Sequence, residues 1–290
     1  MHSFTIRDME HLTGIKAHTI RIWEQRHQLV APKRKESLHR MYDTEDLKFL
    51  LRVAFLYRKG YKISKIASMK PSEIDQLVLQ AGRVGDYESL INQLMEASID
   101  LDEDQFRQTL GHLKTSIGIE AALIHVVYPY FEKIGLLWMT GNVIPAQEHF
   151  ASNLVRNWIL KNMPPNPTYD GIIMPATLLL CPPNEHHEIP ILFLQYLFRQ
   201  NGKRAINFGI NTSVDILQQY LQKQHANEIL VYLITSFVHS GPSDYLRQLL
   251  ELFPSQDVVA AGPAFVQVDI SSERLQIMRS LDELLAYVKS

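Results

Sequence analysis

The chain has 290 residues, of which 46% are hydrophobic and 21% are charged, and its formal net charge is −2. This composition is typical of a globular protein of two or three domains and excludes long disordered segments. A single cysteine, Cys181, excludes an internal disulfide framework. No apolar run approaches the roughly 20 residues that span a bilayer. We therefore expect a cytoplasmic protein with no membrane partner.

The charges are unevenly distributed along the chain. Residues 1–70 hold 15 Lys and Arg against 7 Asp and Glu, a balance of +8, whereas the remaining residues hold 14 against 24. A small basic segment ahead of a larger acidic one predicts that the first segment binds a polyanion such as nucleic acid.

The basic segment has the pattern of a winged helix-turn-helix. Residues 4–12 favour a helix with Thr5 as its N-cap, and Thr13-Gly14-Ile15 favours a tight turn. A second helix is predicted over residues 16–26, with Ile20 and Trp23 facing inward. Basic residues then flank a predicted hairpin wing, and Asp43 or Thr44 is expected to cap a helix over 45–59. Two short helices around a Gly-containing turn place the second helix in the DNA major groove.

These residues resemble the MerR family of regulators in their order and spacing. The resemblance is carried by Thr13-Gly14-Ile15, residues 19–24, Leu29-Val30-Ala31-Pro32 and residues 40–47. It implies a DNA-binding domain over residues 1–72; the alternative is a basic solvated helical domain. The residues that we expect to contact DNA are Lys16, His18, Thr19, Arg21, Arg26, Lys33, Arg34, Lys35, Arg40 and Tyr42.

Residues 75–162 lack a strand pattern and recur at helical spacing, which favours a four-helix bundle. Trp138 precedes a Gly-containing turn, and Glu148 and His149 open the next helix. The spacing Trp-x9-Glu-His resembles the helical cap of the CarH/LitR group of cobalamin-dependent MerR-type photoreceptor repressors. The resemblance implies that these three residues line the upper side of a cobalamin site. Taken singly, Trp138 could be core packing and Glu148-His149 a helix N-terminal acid beside a surface histidine.

Residues 168–290 follow a proline-rich linker and alternate between strand and helix patterns. The predicted strands cover 171–180, 204–208, 228–235 and 257–261, and the predicted helices cover 188–200, 214–223, 242–253 and 281–288. This alternation predicts a doubly wound, Rossmann-like (flavodoxin-like) α/β domain. The fold class is therefore multi-domain α and α/β: winged helix-turn-helix, four-helix bundle and α/β domain.

The loop after the first of these strands carries acid and imidazole at the edge where α/β domains bind ligands. Glu185-x-His187 resembles the Glu/Asp-x-His-x-x-Gly signature of cobalamin-binding domains, which implies that His187 ligates cobalt. The signature glycine is Pro190 here, and we expect Pro190 to push Ile189 into an extended conformation. The resemblance also implies cofactor contacts from Ser236, Val238, Ala261 and Gly262. The alternatives are a polar surface loop, or a metal site formed by His186 and His187 with nearby carboxylates.

Together these patterns predict a transcriptional regulator, a repressor and not an enzyme, that binds a double-stranded DNA operator as a homodimer or homotetramer. Cobalamin, in its adenosyl form, is expected to control operator binding and assembly, with light as a further control. Met139 departs from the group, which has a histidine after the tryptophan that becomes the upper cobalt ligand after illumination. The alternative function is a MerR-type regulator whose sensor domain has lost the cofactor and acts in protein interaction.

Overall fold

The computed structural model describes residues 4–30, 33–34, 40–81, 87–139, 145–167, 176–235 and 241–290. The chain forms two compact units, residues 1–154 and residues 155–290, and each is described separately. The finer division into domains at 1–72, 75–162 and 168–290 stays a prediction.

The first unit begins with a winged helix-turn-helix, as predicted. Its elements are β1 (Phe4–Thr5), α1 (Ile6–Thr13), α2 (Ala17–His27), β2 (Lys33–Arg34) and β3 (Arg40–Tyr42). The three strands form an antiparallel sheet in the order β1-β3-β2, so that the β2–β3 hairpin is the wing.

Side chains with fixed local roles set the angle between α1 and α2. Thr5 caps α1 and Asp8 reciprocates in a capping box, which confirms the predicted N-cap. The hydroxyl of Thr13 donates to the carbonyl of Met9 at 2.6 Å and closes the last turn of α1. Gly14 then adopts a φ of +69°, the left-handed conformation that glycine reaches without a steric penalty.

In the residues that the structure describes, the rest of the first unit consists of helices joined by short turns. The helices that lie within it are α3 (Thr44–Arg58), α4 (Ile63–Ala67), α5 (Pro71–Ala81), α6 (Tyr87–Asp100), α7 (Glu103–Ile117), α8 (Ile119–Ala122) and α9 (Tyr128–Met139), and α10 (Pro145–Lys161) begins in this unit and ends beyond its last residue. The predicted bundle is confirmed, with a core that includes Leu94, Phe106, Leu110 and Tyr130, all at most 1% exposed.

A π-helical segment, Leu123–Val127, joins α8 to α9 without a turn. The backbone N–H of Tyr128 donates to the carbonyl of Leu123, five residues earlier, instead of to the carbonyl four residues earlier. One extra residue is therefore accommodated within an otherwise continuous helix.

Ion pairs fasten α3 to α6. Three cations of α3 each meet a carboxylate of α6: Lys48 with Asp100, Arg52 with Glu96, and Arg58 with Glu88. Arg58 also donates from Nη1 to the carbonyl of Thr13 at 2.5 Å, in the turn between α1 and α2. Through this side chain the helix-turn-helix is bonded to the bundle.

The second unit is an α/β domain built on a five-stranded parallel sheet. Its elements are β4 (Thr177–Leu180), α11 (Glu188–Gln200), β5 (Ala205–Gly209), α12 (Val214–Leu221), β6 (Glu228–Tyr232), α13 (Gly241–Leu252), β7 (Asp257–Ala261), a 3₁₀ turn (Pro263–Phe265), β8 (Leu275–Met278) and α14 (Leu281–Lys289). The strand order β5-β4-β6-β7-β8 confirms the predicted Rossmann-like, flavodoxin-like class.

Successive side chains of a strand point to opposite faces of the sheet, and this explains why helices cover both faces. Leu178, Ile229 and Val258 lie in one core cluster with Leu217 of α12 and Leu246 of α13. On the other face, α11 packs on β4 and β5 and also contacts α14. Apolar side chains on both faces of each central strand therefore hold a helical layer on each side of the sheet.

Candidate cofactor and nucleic-acid sites

Glu185 and His187 lie in the loop between β4 and α11, at the carboxyl end of a central strand. The chain leaves β4 toward β5 on one side and later enters β6 on the other, so this loop sits at the topological switch point of the sheet. Open α/β sheets bind ligands at this position. The structure therefore brings the predicted pair to the expected edge.

Glu185 is a fully buried carboxylate with two separate sets of donors. Its Oε1 accepts from the backbone N–H of His187 at 2.9 Å and lies 2.5 Å from Nδ1 of the same residue. Its Oε2 accepts from the backbone N–H groups of Ile234 at 2.8 Å and Thr235 at 3.0 Å, just beyond β6. The hydroxyl of Thr235 adds a fifth contact at 3.3 Å. One carboxylate thus ties together the two loops that flank the switch point.

These contacts set the charge of Glu185. Burial alone would raise the pKa of its carboxyl, but hydrogen bonds from the His187 side chain and from the backbone of His187, Thr235 and Ile234 lower the pKa from 4.5 to about 2. Glu185 is therefore ionised at neutral pH and accepts every one of these bonds. It follows that Nδ1 of His187 carries the proton in their contact.

The loop is also bonded to its neighbour after β5. The backbone N–H of Asn184 donates to the side-chain carbonyl of Asn211 at 3.0 Å, and the N–H of Asn211 donates to the carbonyl of Glu185 at 3.2 Å. Both asparagines have positive φ, 68° and 53°, which this residue type tolerates best after glycine. The His187 side chain, 53% exposed, therefore projects from a loop fixed on two sides.

Pro190 does not reshape this loop, and the prediction that Ile189 would be extended is wrong. Both residues lie in the first turn of α11, which begins at Glu188. The first N–H groups of a helix have no intrahelical acceptor, so proline loses no bond there, and its fixed φ suits a helix. Pro190 and the apolar residues that follow it are buried, so packing of this turn against the core favours the helical conformation of Ile189.

Ala261 and Gly262 lie at the end of β7, beside β6. Ala261 is fully buried and paired with Tyr232 in the sheet. Gly262 has a φ of +108°, and a Cβ built there would lie 2.4 Å from the carbonyl oxygen of Leu233. The missing side chain thus makes room for the protein's own backbone. The predicted contacts Ser236 and Val238 lie outside the described residues.

In the first unit, Trp138 lies in the last turn of α9, and its side chain is outside the described part of the structure. Glu148 and His149 follow in the first turns of α10 with side chains 40% and 72% exposed, and Oε2 of the glutamate is 3.5 Å from Nδ1 of the histidine. The neighbouring Gln147 is buried and donates from its amide to the carbonyl of Ile99 at 2.8 Å. The helix is thus anchored through Gln147, while Glu148 and His149 remain accessible to a ligand.

On α2 the predicted DNA contacts share the outer face. His18, Arg21 and Arg26 are exposed and Thr19 is partly exposed, while Ile20 and Trp23 are buried on the opposite face. Lys16, just before the helix, is 74% exposed and forms an ion pair with Glu10 at 3.0 Å.

Glu10 also accepts a hydrogen bond from the backbone N–H of Ala17 at 3.1 Å. It thus satisfies one of the free donors at the start of α2. Sequence reasoning missed this role, although an acid one helix upstream of a start without a capping side chain is a signal for it.

The wing is joined to α2 by a buried glutamate. Glu24 accepts from the Tyr42 hydroxyl and from Nε of Arg40 at 3.0 Å. Tyr42 is only 1% exposed, so it does not present its hydroxyl to a DNA phosphate, and its place is within the domain core. The predicted contacts Lys33 and Arg34 lie in β2 with side chains outside the described part, and Lys35 lies outside it altogether. Glu24 is a positioning residue that the sequence analysis overlooked.

The alternative of a metal site made only of protein ligands gains no support. Within the described ranges, no group of three or more His, Cys, Asp or Glu side chains is arranged to hold a metal ion. Cys181, which is buried, has a pKa raised well above its usual range by burial and by the nearby Glu185 and Glu188 carboxylates, so it stays a neutral thiol.

Comparison with known proteins gives matches to two protein families and to two transcriptional repressors. Residues 4–73 match the MerR HTH family of regulatory proteins, and residues 90–176 match the B12 binding domain family. CarA of Myxococcus xanthus, an HTH-type transcriptional repressor, is 27% identical over 219 residues, which are 73% of this chain and 70% of CarA. CarH of the same organism, also an HTH-type transcriptional repressor, is 25% identical over 272 residues, 90% of this chain and 89% of CarH.

The chain is thus similar to two HTH-type transcriptional repressors, and separate parts of it match the MerR HTH and B12 binding domain families. This bears out the resemblance predicted from the sequence and supports the prediction of a B12-dependent transcription regulator. Both relatives are named as transcriptional repressors.

A solved structure shows the same fold. The monomethylamine corrinoid protein of Methanosarcina barkeri aligns with a TM-score of 0.53 at 10% identity, over 70% of this chain and 96% of that chain. At this identity the likeness concerns the fold alone. Among the described helices, none has the length and apolar character to cross a membrane.

Proposed function

We propose that the chain is a repressor that binds an operator in double-stranded DNA as a homodimer or homotetramer, and that adenosylcobalamin controls its assembly and DNA binding. The observation that carries the cofactor proposal is the buried Glu185 carboxylate that holds Nδ1 of His187 at the switch point of the sheet.

The residues present fit cobalamin. A histidine that ligates a metal generally donates its other ring N–H to a carboxylate, which fixes the tautomer and ring orientation and makes the ligating nitrogen more basic. Glu185 is ionised and accepts from Nδ1, so a neutral His187 ring has its electron pair on Nε2. We propose that His187 would ligate cobalt and that Glu185 is its positioning residue.

The remaining predicted contacts complete the cofactor proposal. Bound adenosylcobalamin would supply a cobalt ion and a light-sensitive cobalt–carbon bond. We propose that the bound cofactor would also be contacted by Trp138, Glu148 and His149 of the first unit and by Ser236, Val238, Ala261 and Gly262 of the second. Release of DNA on illumination is part of the proposal, and Met139 stands where related chains place a histidine.

The proposed DNA interface is the outer face of α2 together with the wing. It comprises Lys16, His18, Thr19, Arg21, Arg26, Lys33, Arg34, Lys35 and Arg40. Because cations on phosphates release counterions, operator affinity should fall steeply as salt is raised. Tyr42 is omitted because its hydroxyl bonds Glu24 inside the domain.

The first test is an absorption spectrum, recorded in the dark, of protein mixed with adenosylcobalamin and then desalted. We expect the wild type to retain the cobalamin colour, and His187→Ala to lose it or to show a shifted spectrum. His186→Ala is the matched control, since His186 is an exposed imidazole on the same loop. Equal spectra for all three proteins would contradict the assignment of His187.

The second test measures operator binding by fluorescence anisotropy, with and without adenosylcobalamin, in the dark and after illumination. Binding that depends on both cofactor and light supports the whole proposal. Binding that depends on the cofactor alone removes the light control. Binding by a protein that stays colourless supports instead a cofactor-free sensor domain that acts in protein interaction.

A further inference from the structure

The outer face of α2 is a continuous stripe of exposed side chains. These residues are His18, Arg21, Ile22, Gln25 and Arg26, which follow one another at spacings of three, one, three and one. Residues at such spacings share one face of an α-helix. The stripe is therefore the face of α2 that is accessible to a DNA groove.

Ile22 is the only aliphatic member of this stripe, and it is 41% exposed at the centre. A β-branched residue is a weaker helix former than the long polar residues common on helix surfaces. Single exposed apolar residues are common, so exposure alone means little. Ile22 lies between Arg21 and Arg26 on the face of α2 that is proposed to bind DNA, so its natural partner would be an apolar group of the DNA.

The helix holds Ile22 rigidly. On the opposite face Ile20 and Trp23 are almost fully buried, and Glu24 is bonded to the wing strand β3 through Arg40. An isoleucine within a helix also has one strongly preferred χ1 rotamer. The side chain is thus preorganised, so little conformational entropy is lost on binding.

The chemistry of the major groove offers one apolar partner. Among the base pairs, only A·T presents a methyl group there, on C5 of thymine, and glutamine pairs in bidentate fashion with N6 and N7 of adenine. Gln25 lies three residues after Ile22, on the adjoining turn of the same face. The two side chains therefore match the two features by which A·T is recognised.

We propose that Ile22 contacts a thymine methyl group and that Gln25 binds adenine, so that each operator half-site carries A·T at the centre of the α2 footprint. This inference rests on the proposed operator binding and adds the bases that α2 selects. Arg21 and Arg26, on either side, supply phosphate or guanine contacts.

The test removes the methyl group and nothing else. An operator is selected from a random DNA library with the wild-type protein, and each thymine is replaced in turn by deoxyuridine. Affinity is measured by fluorescence anisotropy at fixed salt. At one position in each half-site we expect deoxyuridine to weaken wild-type binding about fourfold, the value of one buried carbon group.

At that position Ile22→Ala should bind thymine and deoxyuridine operators equally. Ile216→Ala is the matched control, because Ile216 is also an exposed isoleucine, 44% exposed, in α12 of the other unit. That variant should keep the full wild-type response. In the same way, Gln25→Ala should become indifferent to 7-deazaadenine at the adjoining adenine.

Two failures are distinguishable. If the wild type selects no DNA sequence at all, operator binding itself fails and the inference falls with it. If the wild type binds tightly but Ile22→Ala keeps the same sensitivity to deoxyuridine at every position, operator binding stands and the role of Ile22 is refuted. Ile22→Ala should fold normally, because the change lies on an exposed face and alanine is the better helix former.

Discussion

Replacing Glu185 by glutamine tests whether the ionised carboxylate organises the switch point. Glutamine has the same shape as glutamate, but one of its two oxygens is replaced by an NH₂ group. That NH₂ group would face N–H donors, either those of His187 or those of Ile234 and Thr235, and could not accept their hydrogen bonds. A pKa lowered from 4.5 to about 2 corresponds to about 3 kcal/mol of stability at neutral pH. No exposure discount applies, because the Glu185 side chain is 0% exposed.

The sign of the pH dependence follows from the direction of that shift. A folded-state pKa below the unfolded value stabilises the fold above pH 4.5, and this stability is lost as the pH falls toward 2. Wild-type protein should therefore lose stability over this range, and Glu185→Gln should lack this part of the slope. At pH 7 the variant should unfold about 10 °C lower, for a unit of this size.

The assays are thermal and urea unfolding of the cofactor-free protein, followed by circular dichroism at pH 7 and at pH 3. Glu188→Gln is the control, since Glu188 makes a partly exposed ion pair with Arg156 at 2.7 Å and its loss should cost less than about 1 kcal/mol. A Glu185→Gln protein as stable as wild type at pH 7, with the same acid slope, would refute the reasoning.

Three further substitutions test other contacts of the fold. Arg58→Ala should lower the free energy of unfolding by about 1–2 kcal/mol and weaken operator binding, because the partly exposed Arg58 side chain bonds the helix-turn-helix to α6. The control is Arg107→Ala, which removes an exposed ion pair and should cost under about 0.5 kcal/mol in thermal unfolding. Gly262→Ala should cost at least about 3 kcal/mol or prevent folding, since the new Cβ would meet a backbone oxygen at 2.4 Å. Gly111→Ala, in α7 with no atom near the new Cβ, should instead stabilise the fold by about 1 kcal/mol. Equal melting temperatures for the two variants would contradict this prediction. Asn92→Leu should raise stability by about 1 kcal/mol, because its buried Oδ1 has no hydrogen-bond partner among the described residues, and a lower urea midpoint would count against that account.

The helices and strands were largely predictable because local chemistry fixes them. Helix α11 and strand β7 have the predicted bounds, since each is an apolar run that ends at polar or glycine residues. Strand β8 was missed: Leu275–Met278 is four residues long and follows β7 without an intervening α-helix, so neither length nor alternation marked it. Its pairing partner, not its own sequence, makes it a strand.

The candidate site was predictable in position and not in its bonding. The sequence placed Glu185 and His187 at the carboxyl edge of the sheet, but no local pattern connects Glu185 to Ile234 and Thr235, about fifty positions later. Likewise Tyr42 was expected at the DNA surface, because nothing in the linear order shows that Glu24 meets it. Contacts across the fold redirect side chains that propensity and spacing cannot place.

The π-helical segment before α9 changes the rotation of that helix about its own axis. Each residue turns an α-helix by about 100°, so the one extra residue rotates everything from Tyr128 to Met139 by about that angle relative to a regular helix. The rotation of the α9 backbone about its own axis is therefore set by residues 123–127, and deletion of a single residue there should turn residues 128–139 back by about the same angle.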